Sequence, residues 1–217
     1  MKDLAKKFLT NSERDSISDA VKEAEKMTSG EIVPMVVSSS YDYPMANIIG
    51  GVAFSLPLSM ILTPVVGGWF WIGSRDMWLF VGLLAVLFII FHEIIKRANW
   101  LKRIFISQKE IDEEVEEAAI INFFNEGLYR TRDETGVLIF ISVFEHKVWV
   151  LADRGINQKV KQGQWDEIVR LIIDGIKQNR QAETICEAIQ KVGDMLIEHF
   201  PVKPDDRDEL KNIVVKE

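Results

Sequence analysis

Residues 136–155 read GVLIFISVFEHKVWVLADRG, and this stretch decides the fold predicted for the chain. Two arms rich in β-branched and aromatic residues flank a short polar turn at Glu145-His146, a pattern typical of a β-hairpin. The first arm is apolar without alternation, so we expect a central strand of an α/β sheet that is covered on both faces. The second arm ends in Asp153-Arg154-Gly155, which places a carboxylate at the edge of the sheet beside a glycine turn. Sites in open α/β sheets lie at such strand ends, and we expect any chemistry here.

The composition limits the class of protein. A length of 217 residues allows one domain with a good core, or a small domain and a further segment. The net charge of −7 and the lack of a basic stripe with interleaved aromatic residues argue against nucleic acid as a partner. The single cysteine, Cys186, excludes an internal disulfide, and its helical context favours a buried small hydrophobe over a nucleophile. The charged N-terminus lacks the apolar core of a cleavable secretion signal.

A long apolar segment predicts contact with a lipid bilayer. Residues 43–74 contain no charged side chain, and this run is longer than the roughly 20 residues needed to cross a bilayer. A second apolar run begins at Met77, after only two charged residues. We therefore predict a transmembrane helical hairpin over residues 43–98, with spans at about 46–66 and 77–95 and a loop at 67–76.

Basic residues predict the orientation of this hairpin. Those that follow the second span are Lys96, Arg97, Lys102 and Arg103, whereas the loop offers only Arg75. The positive-inside rule then places the loop outside and the soluble domain with both termini in the cytoplasm. We expect the membrane to be a bacterial inner membrane.

The segments on either side of the hairpin predict one discontinuous α/β domain, residues 1–42 and 99–200, followed by a polar C-terminal tail at 201–217. Asn11 or Ser12 is the expected cap of a first helix, which ends at Ser29-Gly30. In the strand that follows, Pro34 favours an edge position or a bulge. Periodic apolar residues predict further helices at about 107–126, 165–179 and 183–200.

A series of short motifs, in chain order, covers most of the chain outside the hairpin: Ser29-Gly30-Glu31, Ala118-Ala119, Phe123-Phe124, Thr135-Gly136-Val137-Leu138-Ile139, Glu145-His146-Lys147-Val148, Ala152-Asp153-Arg154-Gly155-Ile156 and Trp165. Their order and spacing resemble the TPM domain family, named after a thylakoid-lumen phosphatase-like protein and its relatives. The resemblance implies a mixed β-sheet sandwiched between helices, here with the transmembrane hairpin inserted after the first strand. Familiar members carry an export signal and a domain outside the cytoplasm, and this chain departs from that layout.

The resemblance also implies acidic residues at one end of the sheet, where some relatives hold a divalent cation such as calcium. Asp153 is the leading candidate ligand for calcium or magnesium, because a strand-end carboxylate supplies hard oxygen ligands. The alternative is that Asp153 caps the following turn or helix through backbone amides. Glu31 and Glu126 are further candidate ligands, with a solvated surface position as their alternative. No organic cofactor is expected.

Three functions from different classes stay open. The favoured one is a membrane-anchored TPM-domain protein that serves as an accessory or binding module for a membrane protein complex. A metal-dependent acid phosphatase is the second and rests on the resemblance, because no glycine-rich phosphate loop, histidine cluster or nucleophile with a matching base is seen. The third is a small oligomeric transport component with His92 and Glu93 as a relay, although snorkelling of these side chains to the interface is preferred.

Overall fold

The computed structural model describes residues 4–70, 77–202 and 210–216. The chain divides into two units: one combines Met1–Tyr41 with Asp112–Glu217, and the other is Asp42–Ile111. In chain order the helices are α1 (Leu4–Phe8), α2 (Asn11–Glu25), α3 (Pro44–Trp69), α4 (Met77–Arg97), α5 (Asn99–Ile104), α6 (Gln108–Asn125), α7 (Arg154–Asn157), α8 (Gln162–Lys177) and α9 (Gln181–His199).

A mixed four-stranded sheet organises the first unit. Its strands are β1 (Glu31–Val37), β2 (Gly136–Ser142), β3 (Lys147–Ala152) and β4 (Val214–Lys216), in the order β3-β2-β1-β4. Strand β1 is parallel to β2 and β4, whereas β2 and β3 form an antiparallel hairpin. Every residue of β2 is buried, so the predicted hairpin with a central first arm is confirmed.

Pro34 lies in an interior strand, and the predicted edge position is wrong. The N–H of Glu31 donates to the carbonyl of Thr135, just before β2, at 3.1 Å. The N–H of the next residue, Ile32, points away from β2 and donates to the side chain of Glu25 at 2.9 Å. Because this direction alternates along a strand, the nitrogen of Pro34 faces away from β2. Strand β4 pairs only with residues 35–37, so proline costs no ladder hydrogen bond within the described residues.

One face of the sheet packs against helices α2, α8 and α9. The side chains of β1 and β2 on this face alternate along the strands, as the two-residue period of a strand requires. They form one buried apolar cluster with the helices: Ile32, Val36, Val137, Ile139 and Ile141 from the sheet, Ile17 and Val21 from α2, Trp165, Ile168 and Ile172 from α8, and Ile185, Ile189 and Val192 from α9.

Helix α6 covers the other face. The intervening sheet residues, such as Val33 and Leu138, are buried, and so are the apolar residues of α6 at positions 115, 119 and 123. Two lysines of the edge strands reach this helix: Lys147 Nζ of β3 lies 2.6 Å from Asp112, and Lys216 Nζ of β4 donates to Asn122 at 2.9 Å. The predicted sheet sandwiched between helices is therefore confirmed.

The predicted polar tail contributes a strand. Residues 214–216 pair with β1, and the N–H of Ser38 donates to the carbonyl of Lys216 at 3.1 Å. These bonds satisfy backbone groups that the end of β1 would otherwise expose at the sheet edge. The tail also contains residues 203–209 and 217, which lie outside the described residues.

In the second unit, α3 and α4 pack along a line of small side chains. Buried residues of α3 recur every four positions: Asn47, Gly51, Ser55, Ser59, Thr63 and Gly67. A Cβ at Gly51 would lie 2.9 Å from the ring of Phe88, so the two helices approach closely, as small residues allow in membrane helices.

The other surfaces of α3 and α4 carry large exposed apolar side chains. Ile61 is 64% and Ile89 63% exposed. The helices have 26 and 21 residues and mean hydropathies of 1.9 and 2.4, so each is long and apolar enough to cross a membrane. The predicted spans fall within them, while residues 71–76 of the predicted loop lie outside the described residues.

A buried lysine joins the two chain ends of the second unit. Lys102 of α5 is 3% exposed, and its ammonium group donates to the backbone carbonyl of Asp42. Burial lowers the pKa of Lys102 and the nearby Lys96 lowers it further, while the charge of Asp42 partly offsets both. The contact closes the base of the helical hairpin.

Candidate functional site

Asp153 lies between β3 and α7, where it is the N-cap of the helix. Its Oδ1 accepts a hydrogen bond of 2.7 Å from the backbone N–H of Arg154. Its Oδ2 is buried and accepts no hydrogen bond from the part of the chain that the structure describes. One oxygen therefore caps a helix, and the other lacks the partner that buried polar atoms usually have.

Glu31 lies at the same end of the sheet as Asp153. It is paired with Gly136 in the parallel ladder, and the N–H of Asp153 donates to the carbonyl of Gly136 at 2.8 Å. The three residues form a row across β1, β2 and β3, so the two acidic residues are two interstrand spacings apart, about 10 Å. We call this row, together with Gly155 just beyond Asp153, the Asp153 end of the sheet.

Backbone carbonyls approach the two glycines of the Asp153 end. A Cβ at Gly136 would lie 2.6 Å from the carbonyl oxygen of Leu128. A Cβ at Gly155 would lie 2.8 and 2.7 Å from the carbonyl oxygens of Asp133 and Glu134. Glycine is therefore required at both positions, and it admits oxygen atoms to this end of the sheet.

Glu126, the third predicted ligand, is held by two lysines. Its Oε1 lies 2.6 Å from Lys216 Nζ, and its Oε2 lies 3.3 Å from Lys211 Nζ. Burial by itself would raise the pKa of Glu126, but the hydrogen bonds and charges of Lys216 and Lys211 outweigh it and lower the pKa. Through these two ion pairs, Glu126 holds the C-terminal segment against the end of α6.

The predicted ligands do not form one cluster. Within residues 4–70, 77–202 and 210–216, no group of three or more His, Cys, Asp or Glu residues is arranged to hold a metal ion. Asp153 and Glu31 share one end of the sheet, and Glu126 is in its ion pairs.

At the opposite end of the hairpin, the structure reveals a buried carboxylate that the sequence had indicated only as a polar turn residue. Glu145 is fully buried. Its Oε1 accepts hydrogen bonds from the backbone N–H of Ser40 at 2.9 Å and from the hydroxyl of Ser39 at 3.1 Å, and its Oε2 accepts one from the hydroxyl of Ser142. We call these four residues the Glu145 end of the sheet.

The serines of the Glu145 end lie two and three residues after β1 and at the last position of β2. Ser40 also donates to the hydroxyl of Ser142 at 3.0 Å, so the hydroxyls form a chain that ends at the carboxylate. The carboxyl ends of parallel strands meet at one edge of a sheet, and the run of serines at residues 38–40 was the signal in the sequence. These bonds fix the turn of the hairpin against the end of β1.

His92 and Glu93 lie near the end of α4. Glu93 is within 3.7 Å of Lys96 and 3.5 Å of Arg97, and His92 Nδ1 is 3.8 Å from its carboxylate. This half-exposed group of charges fits the interfacial position that the sequence indicated.

Residues 102–195 match the model of the TPM domain. Among solved structures, the chain is similar to the NMR structure of the BA42 protein from the psychrophilic bacterium Bizionia argentinensis, at 24% identity, with a TM-score of 0.59 over 97% of this chain and 96% of that chain. At this identity the likeness shows a shared fold. A comparison with curated proteins found no match.

Proposed function

Because this chain carries a TPM domain, we propose that it is a membrane-anchored protein that acts as an accessory or binding module for a membrane protein complex. The observation that carries the proposal is the exposed apolar surface of α3 and α4, which suits lipid and not water. The basic residues Lys96 and Arg97 at the end of α4 support a cytoplasmic position for the TPM domain and both termini.

Carbonate extraction of cell membranes tests the anchor. A protein held by two apolar helices stays in the membrane pellet at alkaline pH, whereas a peripheral protein is released. We expect the full chain in the pellet. Its release into the supernatant would contradict the anchor and remove the basis of the proposal.

Labelling with a membrane-impermeant maleimide tests the orientation. Cys186 is partly buried and burial raises the pKa of its thiol, but it is replaced by serine to give a clean background. In that background, Ser74→Cys in the predicted loop should react in intact spheroplasts. Lys191→Cys on α9 should react only after lysis. The reverse pattern would contradict a cytoplasmic domain.

The outer side of α6 offers a surface for a protein partner. Ile121 and Phe124 are 49% and 56% exposed, and the ring of Tyr129 lies 5.2 Å from that of Phe124. The guanidinium of Arg130 is 5.2 Å above the ring of Tyr129. Aromatic and arginine side chains are the groups that dominate protein interfaces. We call these four residues the α6 patch.

Crosslinking in intact membranes before solubilisation tests the partner. The wild-type chain should recover the same membrane proteins in repeated purifications. Ile121→Asp with Phe124→Asp should lower their recovery by about tenfold or more, because charged groups would be buried at the interface. Met27→Asp, at a residue that is 58% exposed outside the patch, is the matched control. Recovery of the protein alone would contradict the binding module.

The Asp153 end supports a second part of the proposal, a divalent cation. The buried Oδ2 of Asp153 lacks a hydrogen bond within the described residues, Glu31 is in the same row, and backbone carbonyls lie against Gly136 of that row and Gly155 just beyond Asp153. Oxygen donors of this kind suit Ca²⁺ or Mg²⁺. In this proposal Asp153 and Glu31 hold the ion, and Glu126 remains with its lysines. The ion would supply positive charge that binds anionic groups.

Calorimetric titration of the full chain in nanodiscs with calcium and magnesium tests this part. Saturable binding should be lost in Asp153→Asn and weakened in Glu31→Gln, and it should be unchanged in Glu126→Gln. Equal binding by Asp153→Asn would contradict the site. The phosphatase hypothesis depends on the same ion, and it requires hydrolysis of phosphate esters that rises with the metal and falls in Asp153→Ala.

A further inference from the structure

Helix α5, which directly follows the apolar helix α4, has one exposed apolar face. Ala98 separates the two helices with φ of −92° and ψ of 88°, so the helical path is interrupted there. Trp100 and Ile104 are four residues apart and therefore share one face of α5, where they are 73% and 66% exposed. Lys102, on the opposite face, is buried. This short helix thus presents two large apolar side chains to its surroundings.

The buried face holds α5 against the base of the helical hairpin. Lys102 donates a hydrogen bond to the backbone carbonyl of Asp42. Phe105, directly after α5, packs on α3: a Cβ at Gly50 would lie 2.8 Å from its ring, and its ring centroid is 6.0 Å from that of Phe54. Because α5 lies in the same unit as α3 and α4, these contacts fix its exposed face relative to the two apolar helices.

The charge around α5 is opposite in sign to that of the whole chain. Residues 92–111 contain five lysine or arginine residues and two glutamates, and Asp42 adds a third acidic residue. This end of the hairpin therefore has a net charge of +2, whereas the whole chain has −7. Residues 67–78, at the other end, contain one basic and one acidic residue and have no net charge. Positive charge is concentrated at the end that carries α5.

Two of the cations at this end share one carboxylate. Lys96 Nζ lies 3.7 Å from an oxygen of Glu93, and a guanidinium nitrogen of Arg97 lies 3.5 Å from the other oxygen. A single carboxylate neutralises one of the two cations, so one positive charge remains. The side chains of Lys96 and Arg97 are 59% and 81% exposed, and ion pairs at such positions are weak. Both cations are therefore accessible to an external anion, three or four residues before Trp100.

We propose that α5 lies in the head-group layer of the membrane and binds anionic phospholipids. Trp100 and Ile104 enter the boundary between head groups and acyl chains, where tryptophan is enriched and apolar side chains leave water. Lys96 and Arg97 donate hydrogen bonds to the lipid phosphates. The exposed face of α5 follows in the chain directly on the exposed apolar surface of α4, and the proposal rests on the proposed membrane anchor.

The positive charge distinguishes an anionic from a zwitterionic lipid. Zwitterionic head groups would receive Trp100 and Ile104 equally well, because the burial of apolar area does not depend on the charge of the lipid. They would gain little from the net positive charge beside α5, whereas an anionic leaflet attracts each lysine or arginine near its surface. The preference for anionic lipid is therefore the quantity to measure.

Quenching of a fluorophore by spin-labelled lipids tests the proposal. The full chain with Cys186→Ser and Ile104→Cys carries bimane at position 104, in nanodiscs of phosphatidylcholine and phosphatidylglycerol at a ratio of about 3:1. An equal small fraction of one lipid or the other carries a nitroxide near the glycerol end of its acyl chain. We expect the phosphatidylglycerol form to quench about threefold more strongly. Both leaflets have the same composition, so the orientation of the chain does not affect the comparison.

The matched control is Trp78→Cys in the same background. Trp78 is 77% exposed and lies at the end of the hairpin without net charge. Bimane at this position should be quenched equally by the two spin-labelled lipids. Quenching at position 78 without quenching at position 104 would overturn the position of α5 in the bilayer and leave the anchor intact. Absence of quenching at both positions would contradict the anchor as well.

Charge variants isolate the contribution of the head group. Lys96→Gln with Arg97→Gln should abolish the preference for phosphatidylglycerol at position 104, while quenching by phosphatidylcholine remains. Lys22→Gln with Lys191→Gln removes two exposed positive charges from the first unit and should retain the preference. Equal quenching by the two lipids in the unsubstituted background, or a preference that persists without Lys96 and Arg97, would overturn the binding of anionic lipid.

Discussion

Glu145 and Asp153 lie at opposite ends of the same β-hairpin and are bound differently. Glu145 is fully buried, and three serines donate hydrogen bonds to its two oxygens. Asp153 accepts one bond as a helix cap, and its second oxygen is buried without a donor among the described residues. Because an unsatisfied buried polar group costs about 1–3 kcal/mol, Asp153 carries a cost in the described structure that the fully bonded Glu145 does not.

The hydrogen-bonding groups around the two ends differ as well. Carbonyl oxygens of Leu128, Asp133 and Glu134 approach the glycines of the Asp153 end. Two serine hydroxyls and one backbone N–H donate to Glu145. One end of the sheet therefore presents acceptor oxygens, and the other presents donors that a carboxylate already occupies.

The largest expected effect is at Glu145. Glu145→Ala removes the acceptor for one buried and two half-buried donors, and we expect a loss of about 3 kcal/mol, which is about 6–12 °C in the unfolding temperature for a chain of this size. Thermal unfolding of the full chain measures it. Glu145→Gln keeps one oxygen acceptor and should lose less. If the alanine variant were as stable as the wild type, the serine network would not brace the hairpin.

Gly136→Ala tests the close packing at the other end. The new Cβ would lie 2.6 Å from the carbonyl oxygen of Leu128, and backbone cannot move aside as a flexible side chain can. We expect a loss of about 2 kcal/mol in unfolding free energy, measured by urea denaturation. Gly163→Ala is the control, because its Cβ meets no atom within 4 Å in the described residues and alanine favours the helix. If the two variants were equally stable, the backbone around Gly136 would be able to shift and accommodate the added Cβ.

Local patterns in the sequence were sufficient to predict most of the elements of the fold. The hairpin, the apolar helices and the amphipathic helices each have a period that reports their structure directly. Strand β4 has no such signal, because three residues become a strand only by pairing with β1 from the other end of the chain. The cap of α2 is Thr10, not Asn11 or Ser12, and the spacing of Thr10 and Glu13 was the capping-box signal that could have identified it.

The candidate site was predictable in part for the same reason. Asp153 directly follows β3 and Glu31 begins β1, so the register of the sheet places them in one row. The lysine pairs of Glu126 depend on residues 211 and 216, which are distant in sequence and give no local pattern. Burial of Glu145 likewise depends on serines about one hundred residues earlier in the chain.

Two substitutions of Asp153 distinguish its role as a helix cap from a role in ligand binding. Asp153→Ala removes the cap of α7, and we expect a loss of about 1 kcal/mol without added cation. Asp153→Asn keeps a capping oxygen and should stay within about 0.5 kcal/mol of the wild type. Urea denaturation with and without calcium measures both effects. Calcium should stabilise only the wild type, and equal stabilisation of the asparagine variant would remove Asp153 from the cation site.

The smallest expected effect concerns Glu126, which fastens β4 beside the Glu145 end. Its pKa is lowered from the ordinary value of 4.5, so the ionised form stabilises the fold above that pH, and this contribution is lost as the pH falls through the lowered value. Glu126→Gln should therefore be less stable than the wild type by about 1 kcal/mol at pH 7. The gap should close at acidic pH, where the wild-type carboxylate is protonated.

Urea denaturation at neutral and acidic pH measures this gap, and the exposed Glu167→Gln is the control, with no gap expected at either pH. Lys211→Gln with Lys216→Gln should reproduce the loss at pH 7, because it removes the same pairs from the other side. If Glu126→Gln were still less stable than the wild type at low pH, packing and not charge would hold β4 in place. The edge of the sheet beside the Glu145 end would then be independent of pH.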